Sequence, residues 1–156
     1  MHLHFSTTGL IHLTTAVIAL LAGTMVLILK KGDQKHKIWG YIYVGSMTVM
    51  LITSFMIYRL FNGFGIFHFF SIISTITLAA GMMPLVFKRK NAIALHLSFM
   101  YWSVIGLYAA LVSEIFTRVP QAPAGIVLFI CIMVVMVVAN IVWRKKQKHW
   151  LTFNNN

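Results

Sequence analysis

Five apolar runs, each about as long as a bilayer is thick, alternate along the chain with short polar or basic breaks. A membrane-spanning helix needs about 20 mostly apolar residues. On that measure the pattern predicts helices over 7–29, 37–59, 66–87, 93–116 and 123–143. The breaks "FNGFG" at 61–65 and "RVPQAPAG" at 118–125 carry the glycine and proline that usually end helices. The breaks "KKGDQKHK" at 30–37 and "KRK" at 88–90 are basic instead. The expected fold is therefore an all-α integral membrane protein with five transmembrane helices. One membrane domain spans 1–156, with a first helical hairpin over 7–59, a second over 66–116, a fifth helix over 123–143 and a tail over 144–156.

Composition supports a bilayer as the solvent. The chain is 60% hydrophobic and only 10% charged, more apolar side chain than a soluble domain of 156 residues can cover. A net charge of +11 would suggest nucleic acid if it formed a stripe, but the cations sit in three clusters between apolar runs, and no nucleic-acid partner is expected. Lys30, Lys31, Lys35 and Lys37 lie between helices 1 and 2, and Lys88, Arg89 and Lys90 between helices 3 and 4. Arg144, Lys145, Lys146 and Lys148 follow helix 5. Thus eleven of the thirteen Lys and Arg residues fall on one side, and only Arg59 and Arg118 on the other. The positive-inside rule then predicts an outside N-terminus and a cytoplasmic C-terminus. Helix 1 has neither a basic leader nor a small-residue cleavage site, so it is expected to be retained. The single Cys131 excludes an internal disulfide and a multi-cysteine metal site.

With this direction the histidines sort by depth. His12 and His68 open helices 1 and 3 from outside; His36 and His96 open helices 2 and 4 from the cytoplasm. A lone histidine at a helix end ordinarily sits among headgroups or bonds a carbonyl, which is the reading for His2, His4 and His149. Four on alternating helices form two pairs, and ionisable groups within a membrane usually face a partner or a cavity. The ten methionines and the tryptophans and tyrosines read as apolar filler and interfacial anchors.

Helices 1–2 and 3–4 read as two copies of one unit. Each runs histidine, helix, basic turn, histidine, helix, then serine and arginine: Ser54 and Arg59 in one, Ser113 and Arg118 in the other. His36 lies 23 residues before Arg59, and His96 lies 22 before Arg118. At 3.6 residues per turn, the face of His12 runs through Ala19 and Gly23, and that of His68 through Ser71, Thr75 and Ala79. Such small residues admit a planar group or another helix. The face of His36 carries Gly40, Tyr43, Met47 and Ser54, and that of His96 carries Met100, Ser103 and Glu114. Glu114 is the one acidic residue inside a predicted span; Arg118, four residues on, is a possible ion-pair partner.

Two chemistries suit this pattern. Paired histidines on alternate helices of a four-helix core can hold a porphyrin by both axial positions. His12 with His68 would hold an outer haem b and His36 with His96 an inner one, some 18 residues or about 27 Å apart along the helices. Arg59 and Arg118 would then neutralise propionates or anionic donors. The alternative is a porphyrin-free ion, zinc, copper or iron, on His12, His68 and Glu114. A third class is a structural or assembly subunit whose histidines only hydrogen-bond between helices.

The paired-histidine architecture over 12–118 resembles the cytochrome b561 family and related two-haem membrane cytochromes. That resemblance implies electron transfer within or across the membrane, with quinone or a membrane protein as partner, although the loops here are shorter. The segments "HKIWGYIYVGSM" and "HLSFMYWSVIGLYAALVSEIFTR" resemble predicted bacterial membrane proteins grouped as domain of unknown function 2306. His12, His36, Gly40, Tyr43, His96, Met100 and Arg118 occupy that family's pattern, with Lys37 and Leu97 where it has arginines. This resemblance implies a multi-pass protein of the bacterial cytoplasmic membrane.

Overall fold

The computed structural model describes residues 7–57, 66–117 and 124–152. They form five helices: α1 (Thr7–Ile28), α2 (Gln34–Phe55), α3 (Ile66–Val86), α4 (Ala92–Thr117) and α5 (Ala124–Thr152). No strand occurs among the described residues. The helices α1 to α4 are each long and apolar enough to cross a membrane. Their outer surfaces are apolar too: Ile28 is 73% exposed, Leu21 62% and Ile76 62%, side chains that only lipid solvates without cost. The protein is a multi-pass membrane protein.

Packing closes a ring. The helices pair along α1–α2 and α3–α4, so both expected hairpins form, and α2 on α3 and α1 on α4 complete the circle. Among the described residues the backbones of α1 and α3, and of α2 and α4, do not approach each other. Histidine-bearing helices of like depth therefore stand diagonally. Outside the ring, α5 packs along α4.

The centre is filled by side chains. Ala19 and Ala22 of α1 and Tyr43 of α2 are fully buried, and Met47 and Val104 are 1% exposed. The small face read on helix 1 receives a neighbour's ring: a Cβ on Gly23 would stand 3.1 Å from the Tyr43 ring and 3.2 Å from Val104. Across the diagonal the hydroxyls of Tyr43 and Ser103 bond at 2.8 Å, satisfying both groups in the least polar part of the molecule.

Three boundaries differ from the hydropathy reading. The second helix starts at Gln34 rather than 37, because the Asp33 carboxylate accepts from the Gln34 N–H as an N-cap. It stops at Phe55 rather than 59, where Met56 N–H turns to the Thr53 carbonyl at 3.0 Å and Ile57 N–H to that of Ser54 at 3.3 Å, a tightened last turn. The fifth helix runs to Thr152 rather than 143. Its extension "RKKQKHWLT" has no glycine or proline and is rich in good helix formers, so the supposed tail 144–156 is helical as far as 152.

Candidate functional site

The ring has one basic end, where the α1–α2 and α3–α4 turns lie, and a far end. Each carries two of the four histidines. At the basic end, Asp33 starts α2 early enough to place His36 in its first turn. The Val26 carbonyl lies at the His36 ring, while His36 Nδ1 is buried with no hydrogen-bond partner among the described residues. His96, one turn into α4, has its Nδ1 2.9 Å from the Gly81 carbonyl of α3. A carbonyl only accepts, so His96 carries its proton on Nδ1 and a lone pair on Nε2. His36 and His96 lie within electrostatic reach of each other although their helix backbones stand apart. Packing sets this level closely. A Cβ on Gly81 would lie 2.7 Å from Met100 Sδ, so the bare glycine lets the His96–Met100 face of α4 close over α3.

At the far end, His12 Nδ1 faces two oxygens of α2, the Met50 carbonyl and Thr53 Oγ1, each at 3.1 Å. The Thr53 hydroxyl already donates within its own helix to Val49 and Met50 carbonyls at 2.9 Å, so His12 Nδ1 is the donor here. His68 is 4% exposed and packs near Phe55, with ring centroids 6.4 Å apart. Ser71, on the same face of α3, accepts from Ser54 Oγ at 2.8 Å. Glu114 lies within electrostatic reach of His12.

The sequence reading thus places its residues unevenly. His36 and His96 interact only electrostatically. Both diagonals stand apart, and His12 and His96 are each bonded inside their own hairpin. No group of three or more His, Cys, Asp or Glu side chains is arranged to hold a metal ion among the described residues. Arg59 and Arg118 lie outside the described residues.

Two groups at the basic end escaped the sequence reading. Lys31 Nζ donates to the carbonyls of Val26 (2.7 Å), Leu27 (2.9 Å) and Leu29 (3.3 Å), capping α1, and stands 4.7 Å from the ring centre of Trp150 at the tip of α5. Burial, with Lys146 nearby, pulls the Lys31 ammonium down to a pKa of about 8. The Gly81 carbonyl was equally invisible, because every residue has one and only the fold selects which is used.

A family model described as "Predicted membrane protein (DUF2306)" matches residues 9–144. No curated protein matches the chain, and no solved structure does.

Proposed function

The chain belongs to the DUF2306 family of predicted membrane proteins, and from that premise we propose that it is a b-type haem protein moving electrons within or across the membrane, with His36 and His96 as the axial pair. The observation that carries this reading is the state of the two rings at the basic end. One imidazole has its Nδ1 tied to the Gly81 carbonyl and the other keeps a buried nitrogen with no hydrogen bond. A histidine that binds a metal commonly donates its other N–H to a carbonyl, which fixes the tautomer and the ring plane.

The donor set at the basic end fits a haem. Both diagonals stand apart alike, and what favours the basic end is that His36 and His96 lie within electrostatic reach of each other. One haem at the basic end is therefore the core of the proposal, and a second on His12 and His68 its extension. Bound there, haem supplies one-electron exchange at its iron. The chain's own part is to orient both imidazoles, through Gly81 for His96 and the early start of α2 for His36, and to keep the level below them dry. Quinone or a membrane protein is the proposed partner class. The proposed setting is the bacterial cytoplasmic membrane, with the basic end in the cytoplasm, α5 as a fifth span and Arg59 and Arg118 as counter-charges on the opposite side.

A second reading rests on the proximity of His12 and Glu114: a transition-metal site completed by His68 without porphyrin. One preparation separates the two. Absorption before and after dithionite, with elemental analysis, should show a Soret band with sharpened reduced bands and one to two irons per chain. His36→Ala or His96→Ala should abolish the band or, with two haems, about half of it, while Glu114→Gln leaves it. Metal without a Soret band, lost in Glu114→Gln, transfers the reading to the far end. Neither haem nor metal leaves a structural subunit.

A further inference from the structure

The fifth helix is longer than its place beside α4 requires. Its 29 residues extend about 43 Å, against about 33 Å for the 22 residues of α1. The surplus lies at the basic end, where two adjacent residues reach two different turns. Trp150 presents its ring to Lys31 in the α1–α2 turn. Leu151 closes one side of an open cavity of about 270 Å³ whose other walls are residues 89–94, the α3–α4 turn and the start of α4. These are the two turns from which His36 and His96 enter the bundle.

The tip is anchored. Trp150 packs against Trp143 and Tyr101, with ring centroids 6.3 and 5.9 Å away, and the Tyr101 hydroxyl donates to the Ala139 carbonyl at 2.6 Å. An aromatic column therefore holds the extension to α4 and aims it at α1. Its last contact leads directly to the histidine: the Val26 carbonyl that accepts from Lys31 Nζ is also the one at the His36 ring. A carbonyl has two lone pairs and can serve both. Trp150, Lys31, Val26 and His36 form one continuous chain of contacts from α5 to α2.

We propose that residues 144–152 of α5 are a strap over the basic end, latched by Trp150 on Lys31, which covers the His36–His96 pair and must lift before a water-borne reactant reaches it. The strap stands whether or not the pair holds haem. It is built from one cation–π contact and ring packing, few enough interactions for the latch to open. The extension contributes no histidine to the pair.

Accessibility tests it without reference to any cofactor. In full-length protein in vesicles, with Cys131→Ala as background, His36→Cys is labelled with a water-soluble maleimide from the basic side. Adding Trp150→Ala or Lys31→Met should speed labelling about three- to thirtyfold, the factor a contact of this kind is worth. Trp150→Phe, which keeps an aromatic face, should restore most of the protection. A cysteine introduced by Lys35→Cys, at an already exposed position, should label at one rate throughout. Equal labelling of His36→Cys with and without Trp150 would overturn the strap. So would equal acceleration at positions 35 and 36, which would mean general loosening. Either failure leaves the absorption test of the cofactor reading untouched.

Discussion

At the basic end of the bundle two histidines from diagonal helices lie within electrostatic reach of each other; at the far end His12 is met by two oxygens of its own hairpin and by the charge of Glu114. Depth in the sequence is the same kind of information at both ends. What differs is what each ring is bonded to and what stands between. His12 spends its N–H on the next helix of its own hairpin, where Met50 and Thr53 both offer an oxygen. His96 also bonds within its hairpin, but there Gly81 has no side chain and lets α4 settle on α3. The setting of the His96 ring thus depends on the small residue behind it as well as on the histidine.

Gly81→Val is the strongest way to break this difference. The new side chain begins 2.7 Å from Met100 Sδ and 3.3 Å from Phe99 Cβ, so the Met100 side chain must give way, and overpacking of a well-filled interior costs about 1–3 kcal/mol. Thermal unfolding in detergent should fall by several degrees, and the labelling or absorption signal of His96 should change with it. Gly40→Ala, on the neighbouring helix at the same end, is the control: its Cβ would meet nothing within 4 Å. Helix propensity alone then acts, and the change should be neutral or stabilising by up to about 1 kcal/mol. Equal destabilisation by both substitutions would mean that Gly81 holds no special place.

A smaller effect belongs to the far end. Thr53→Val keeps the shape and removes one of the two oxygens facing His12, leaving the Met50 carbonyl at 3.1 Å to take the proton. Hydrogen bonds between membrane helices average about 0.6 kcal/mol, so the loss in unfolding free energy should be of that order. The corresponding change in the middle, Tyr43→Phe, strands the buried Ser103 hydroxyl and should cost about 1 kcal/mol or more. If Thr53→Val proves the costlier, His12 relies on Thr53 rather than on the carbonyl.

These contrasts also show what was legible beforehand. The spans followed from hydropathy because a bilayer selects length and apolarity and little else. The interior faces of α2 and α4 followed from helical periodicity, since Tyr43, Met47, Met100 and Ser103, on the faces of His36 and His96, are all buried, whereas Thr75 on the face of His68 is exposed. The occupant of the Ala19–Gly23 groove did not follow, because a small face states that something comes close and not what. The length of α5 was hidden for a different reason. Hydropathy ends a membrane helix at Arg144, but the backbone ends it where capping and propensity fail, eight residues later at Thr152. The strap residues were accordingly read as tail.

The smallest predicted effect concerns the one titration at the edge of this arrangement. Lys31 has an ordinary pKa of 10.5, lowered to about 8 first by burial and then by Lys146; the titratable His36 of α2, itself facing Asp33, also faces it. The charged form is therefore the one the folded state disfavours. That penalty is present in full below pH 8 and is relieved as pH rises from 8 towards 10.5, where the open or unfolded chain still binds the proton and the closed one does not. Stability and strap closure should thus both rise modestly between pH 7 and pH 9. Deprotonation also removes the attraction of the ammonium for the Trp150 ring, which works against that gain. Lys31→Arg stays charged throughout this range and should flatten the dependence. The protection of a cysteine at position 36, followed against pH in the two backgrounds, reads this directly. A decrease with rising pH in the parent chain would mean that the attraction to Trp150, and not burial, dominates the ammonium.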